Sequence, residues 1–204
     1  MVVVDPDITV QTERLRLRPL AMADAEDVAL MRAHPEVMKH TSLRPTDDME
    51  KTKDWIRGCH ARPENWNFSI ELLPSASASA SARTTTGPRV IGMIGAVRAP
   101  EIGYMFNHAY WGRGYATEAL RAFMPLFFAH YAGGGSEQPR YEYAEAHTDP
   151  ELVASQNVLA KAGFRLYERR EKDFENLVLG WRDTLVYRLG RPDADGVAAA
   201  LSTI

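Results

Sequence analysis

"YWGRGYATEAL", Tyr110–Leu120, sets two glycines around one arginine and then turns at once to helix-forming residues. Ahead of it, "RVIGMIGAVR" from Arg89 and "EIGYMF" from Glu101 read as two strands split by Ala99-Pro100. Behind it, Ala116, Ala119, Leu120, Phe123 and Phe127 keep helical spacing, which predicts a helix from about Ala116 to Tyr131. Pro125 lies inside that span and predicts a kink or an early end. A strand, a glycine-bearing turn and a helix start make an anion cradle. Glycine lets the backbone approach a ligand, successive N–H groups point inward, and the helix N-terminus adds partial positive charge. Phosphate is the expected guest. A tight turn without any ligand is the alternative, and glycine count alone favours it. A Walker loop is excluded, because no Gly-Lys is followed by Ser or Thr. A dinucleotide fingerprint is excluded too, since no third glycine follows Gly112 and Gly114 at the required spacing.

Working outward, "RLRLRP" from Arg14 alternates with period two, a strand with Leu15 and Leu17 facing a core. Asp24–Ala33 reads as a short helix. "TDDMEKTKDWIRGC" reads as a longer one, with Thr46 as cap and Gly58 near its stop. "WNFSIELL" from Trp66 is a strand, and the low-complexity "PSASASASARTTTGP", residues 74–88, is a mobile loop. "YEYAEAH" from Tyr141 is a strand. "DPELVASQNVLAKAG" is a helix with Asp149 as cap, Pro150 first and Gly163 as stop. "FRLYERR" and "WRDTLVYRL" close the chain as two strands in a hairpin. The order predicts one mixed α/β domain over residues 1–190, with a frayed tail at 191–204.

The totals are those of a globular protein. The chain has 204 residues, 45% apolar and 25% charged, with net charge −3, so neither nucleic acid nor an acidic membrane is the expected partner. One cysteine, Cys59, rules out an internal disulfide, and no apolar run reaches the ~18 residues of a membrane span. The expectation is a cytoplasmic protein, a monomer or weak homodimer. No histidines sit at metal-ligand spacing, so no metal site is expected.

"YWGRGYATEAL" resembles the acyl-CoA pyrophosphate loop of the GNAT acetyltransferases, in the branch that includes ribosomal-protein N-terminal acetyltransferases. "TERLRLRPL", "RVIGMIG" with "EIGYMF", "SQNVLAKAGF" and "WRDTLVYRL" resemble further pieces of that branch in the right order, from about Thr12 to Leu189. The resemblance implies a mixed, mostly antiparallel sheet of about seven strands flanked by helices. It implies acetyl-CoA as co-substrate, lying where the fourth and fifth strands splay apart. Trp111, Gly112, Arg113, Gly114, Tyr115, Ala116 and Thr117 would cradle its pyrophosphate, and the backbone of Met105 and Phe106 would pair with its pantetheine arm. One of those strand N–H groups would serve the developing oxyanion. Arg113 is either a phosphate contact or a solvated loop arginine, and Glu118 is structural. The late helix departs from the family pattern: Leu152 and Leu159 stand where Asn and Tyr are common. Ser155 is the hydroxyl left on that side to meet a leaving thiolate.

Acetyl transfer to an amine needs a base, since ammonium groups titrate at about 8 to 10.4. Glu101, opening the strand near the thioester, is the first candidate and Glu145 the second. His147 reads as a strand-end surface histidine. Two functions remain open: an N-acetyltransferase for a small amine or a protein N-terminus, or an impaired acyl-CoA-binding or scaffold protein.

Overall fold

The computed structural model describes residues 8–62, 65–74, 89–133 and 139–193. Most of the stretch expected to be a mobile loop, residues 75–88, lies outside them. The described strands form one sheet of eight in the order β1-β2-β3-β4-β5-β6-β8-β7. They are β1 (Val10–Gln11), β2 (Leu15–Pro19), β3 (Trp66–Leu72), β4 (Val90–Arg98), β5 (Glu101–Phe106), β6 (Tyr143–Thr148), β7 (Arg165–Asn176) and β8 (Gly180–Gly190). All neighbours are antiparallel except β5 and β6. The count exceeds the expected seven by the two-residue β1, too short to leave a pattern in sequence.

The helices are α1 (Ala25–Ala33), α2 (Pro35–Met38), α3 (Met49–Ala61), α4 (Tyr115–His130) and α5 (Val153–Lys161). Alternation in the strands sorts side chains between two cores. Leu15, Leu17, Phe68, Ile102 and Phe106 pack with Leu120, Phe123 and Phe127 of α4 and Leu159 of α5. Val90 and Met93 pack on the opposite face with Val28 and Met31 of α1 and Ile56 of α3. The entry to α1 is pinned by a fully buried carboxylate. Asp24 accepts from Arg18, from Ser69 Oγ at 2.7 Å and from the Ala21 N–H at 2.9 Å. Burial alone would raise its pKa, but these bonds hold it below the usual range.

Several boundaries differ from expectation, each for a local reason. Asp48, not Thr46, caps α3, accepting from the N–H groups of Glu50 and Lys51, and the helix runs through Gly58 to Ala61. α4 begins one residue early and passes through Pro125 to His130, so no early end occurs there. α5 begins at Val153; Asp149 and Pro150 instead open a separate turn ahead of it, in which the Asp149 carboxylate accepts from the Glu151 N–H and the Asp149 carbonyl from the Leu152 N–H. β6 begins at Tyr143 and β7 extends to Asn176, so "DFEN" is strand rather than loop. Arg191, assigned to the tail, donates to the carbonyls of Tyr141, Phe128 and Tyr131. Among the described residues no helix is long and apolar enough to cross a membrane.

Candidate active site

The turn after β5 has the backbone its glycines allow. Gly112 and Gly114 hold φ of 73° and 82°, in the left-handed region that penalises side chains. Gly114 is the residue before α4. None of the backbone N–H groups from Gly112 through Thr117 donates to a described partner, whereas the Glu118 N–H already closes the first helical bond onto Gly114. A Cβ placed on Gly112 would meet nothing within 4 Å. Arg14, Arg121 and Lys161 stand around Gly114 and Thr117. Unpaired donors, open space and surrounding cations suit an anion.

Glu118 fixes this turn to the sheet. Its carboxylate accepts from Thr12 Oγ1, from the Arg14 N–H at 3.0 Å and from Arg14 Nε at 2.7 Å. Arg14 in turn donates to the Arg113 carbonyl at 3.0 Å. Burial alone would raise the Glu118 pKa, but these bonds lower it, so the group is a tether, as expected. The Arg113 guanidinium lies 5.6 Å from the centre of the Tyr110 ring. The Trp111 indole donates to the Phe106 carbonyl at 2.9 Å, a group expected to face the pantetheine arm. That carbonyl keeps a second lone pair.

Upstream, β5 and β6 pair only at Glu101 with Glu145 and at Ile102 with Ala146. Gly103 to Phe106 therefore have no strand partner on that side, and a wedge opens toward the glycine turn. Across it, Tyr104 donates to or accepts from Ser155 Oγ at 2.8 Å. Burial pushes the Tyr104 hydroxyl up to about 12, with the Ser155 hydrogen bond opposing. Leu159, where a tyrosine is common in the resembled pattern, is fully buried in the core. Tyr104 was not singled out from sequence. Its alternation with Ile102 and Phe106 was a usable signal, because a tyrosine on a core face needs a partner for its hydroxyl.

On the α1/α3 side of β5 lies a cleft of about 920 Å³. Glu101, Tyr104 and His147 line it together with Arg32, Trp55 and Asp149. Glu101 Oε2 accepts from Arg98 Nη2 at 2.7 Å, while Oε1 has only His147 Nδ1 at 3.6 Å. Glu145 does not line the cleft, and both its oxygens are engaged: Oε1 with His147 Nε2 and Oε2 with Arg188 Nε, each at 2.7 Å. Burial would raise the Glu145 pKa, but those two partners hold it low, which makes it a weaker base. His147 is not a surface residue. It is 25% exposed and sits between the two carboxylates. Cys59 also borders the cleft, and burial pushes its thiol up to about 11, leaving it protonated and unreactive at neutral pH.

Asp149 closes the far end. Its side chain is fully buried, with Arg182 at 2.8 and 2.9 Å and the Glu151 N–H at 2.8 Å. Burial opposes ionisation, but Arg182 and the Glu151 N–H prevail and hold the pKa at about 2, down from 3.8. The charge therefore stabilises the fold fully above pH 3.8, and the contribution is lost as pH falls through about 2. Asp149→Asn should unfold at lower denaturant than wild type at neutral pH, and the gap should close as pH falls from 3.8 toward 2. A gap that stays constant over that range would show that the charge contributes nothing.

Comparison with known proteins assigns the family and the fold. The profile of the acetyltransferase (GNAT) domain family matches residues 14–165, and the chain belongs to that family. A Bacillus subtilis (strain 168) protein without assigned function, YkkB, is 30% identical over 160 residues, covering 74% of this chain and 82% of the relative. The ribosomal-protein-S5-alanine acetyltransferase of Vibrio fischeri superposes with a TM-score of 0.69 at 18% identity, covering 92% of this chain and 98% of that one. The spermidine N-acetyltransferase of Vibrio cholerae, solved with CoA and spermine, gives 0.68 at 12% identity, with 88% and 96% covered. At these identities the structural matches speak for the fold.

Proposed function

We propose that the protein is an N-acetyltransferase that moves an acetyl group from acetyl-CoA to a primary amine by direct attack. The observation that supports it best is that β5 joins every part the reaction needs. Its first residue, Glu101, faces the cleft, its middle borders the wedge, and its end leads into the glycine turn. Acetyl-CoA supplies an activated acetyl thioester. Gly112 to Thr117 would hold its pyrophosphate through unpaired N–H groups, and Met105 and Phe106 would pair with its arm in the wedge. The free Oε1 of Glu101 takes the ammonium proton, directly or through one water, and a β5 N–H faces the oxygen where charge develops. Glu145 holds His147 in place rather than acting as base.

The Tyr104–Ser155 pair protonates the departing sulfur. This pair also bears on the rival reading, an acyl-CoA-binding protein without turnover, which rests on Leu152 and Leu159. A hydroxyl from the strand, hydrogen-bonded to Ser155, would stand in for the one the helix lacks. Release of free thiol from acetyl-CoA, followed with a panel of amines and N-terminal peptides, tests both readings. Turnover on any acceptor supports transfer, and CoA binding without turnover supports the rival. In the same assay Tyr104→Phe should lower kcat about tenfold. That is less than the ~10²-fold usual for a general acid, because a thiolate of pKa near ~8.5 leaves with modest help. Affinity for acetyl-CoA should stay within about twofold, less than ~0.5 kcal/mol. An unchanged kcat would remove the pair from the chemistry.

A further inference from the structure

Arg32 is the one buried arginine among the described residues. It occupies the last turn of α1 and is only 5% exposed. Its Nε and Nη1 have no hydrogen-bond partner, and no carboxylate among the described residues pairs with it. Arg18 and Arg182, both more exposed than Arg32, each pair with two carboxylates. Arg32 has instead the face of Trp55, 4.9 Å from guanidinium to ring centre. That attraction offsets only part of the cost of removing a cation from water. The nearby Cys59 thiol is no counter-ion, since burial keeps it protonated. Burial also lowers the Arg32 pKa below the ordinary arginine range, as expected of a cation still lacking its partner.

The guanidinium lines the same cleft as Glu101, on the opposite wall, with Trp55 and Cys59 of α3 beside it. The cleft therefore offers a base on the β5 side and an unmatched cation on the α1/α3 side.

We propose that Arg32 anchors a carboxylate on the acceptor, so that the amine acetylated belongs to an amino acid or another amine bearing an acid group. One guanidinium balances one carboxylate, and a charge-assisted N–H bond to a carboxylate is stronger than one to a neutral group. The burial that makes the unpaired cation costly also makes the pairing selective. A neutral or purely cationic amine would leave Arg32 unpaired inside a filled cleft. The inference rests on the proposed acetyl transfer to amines and names the class of amine.

The test uses the full chain with saturating acetyl-CoA and a series of ω-amino acids of increasing length, each beside its carboxamide. At the fitting length kcat/KM for the acid should exceed that for the amide at least tenfold. Arg32→Met should bring the two within about twofold by removing the gain on the acid, while its melting temperature stays level or rises because an uncompensated charge is gone. A merely structural Arg32 would give a lower melting temperature and an equal loss on both substrates. Equal use of acid and amide by the wild type would overturn the inference and leave acetyl transfer standing. Binding is measured separately, as thermal stabilisation by the unreactive ω-hydroxy acids in the presence of CoA. Stabilisation of wild type but not of Arg32→Met upholds the anchor even if no amine turns over. Equal stabilisation of both, or of neither, overturns it.

Discussion

Glu101→Gln is expected to lower turnover at neutral pH by roughly 10²-fold or more, the usual worth of a positioned base. The substitution keeps the shape of the side chain and removes the free Oε1 lone pair that faces the cleft. Acetyl-CoA affinity should be unaffected, because the glycine turn lies at the other end of β5. The deficit should shrink as pH rises toward the pKa of the acceptor amine, since free amine then needs no base. Loss of the Arg98 pair does not explain such an effect. Arg98 is 67% exposed, and a pair of that kind contributes at most ~1 kcal/mol. Glu145→Gln is the companion measurement. Its oxygens hold His147 and Arg188, so melting temperature should fall while the pH profile of kcat/KM keeps its shape. If the Glu145 variant loses the neutral-pH rate and the Glu101 variant keeps it, the base lies on β6.

Gly114→Asp should weaken acetyl-CoA binding at least tenfold, a loss above ~1.4 kcal/mol. Two effects act together at that position. Its φ of 82° strains any side chain by about 1 kcal/mol, and aspartate brings negative charge to a cluster of unpaired N–H groups. Gly114→Ala separates them. A Cβ there meets only Arg14 Nη2, at 3.5 Å, so alanine carries the strain with no clash and no charge. Titration calorimetry should place Ala between wild type and Asp. Equal affinities for Ala and Asp would take the anion role away from this turn.

The fold was legible because several local signals agreed. The Arg–Leu alternation of β2, the two strands around Ala99-Pro100 and the Gly-Arg-Gly turn before α4 each specify one conformation. What escaped were features decided by tertiary partners. Asp149 and Pro150 match a helix start, and Asp149 does take the Glu151 N–H, but the carboxylate is also held by Arg182, more than thirty residues later, and a turn intervenes before α5 begins at Val153. His147 read as a surface residue because nothing local reveals that Glu101 will lie across from Glu145 in the parallel register. Arg32 left no signal at all. An arginine in the last turn of a helix is what the helix dipole favours, and only the packed structure shows its charge turned inward without a partner.

The short β5–β6 ladder has a thermodynamic side. The sheet is two leaves, β1 to β5 and β6-β8-β7, stitched by two residue pairs and one added bond from the Glu145 N–H to the Pro100 carbonyl. Beyond that stitch the facing edge of β5 has no strand partner among the described residues, with the Phe106 carbonyl accepting from the Trp111 indole. A molecule laid into the wedge as proposed would act as a ninth strand and mortar the leaves together, so part of its affinity would reappear as resistance to unfolding. At a hundredfold excess over its Kd such a ligand adds ~2.7 kcal/mol of stability, comparable to a good share of what holds a domain of this size folded. The supply of such a ligand and the stability of the folded chain would then be one equilibrium.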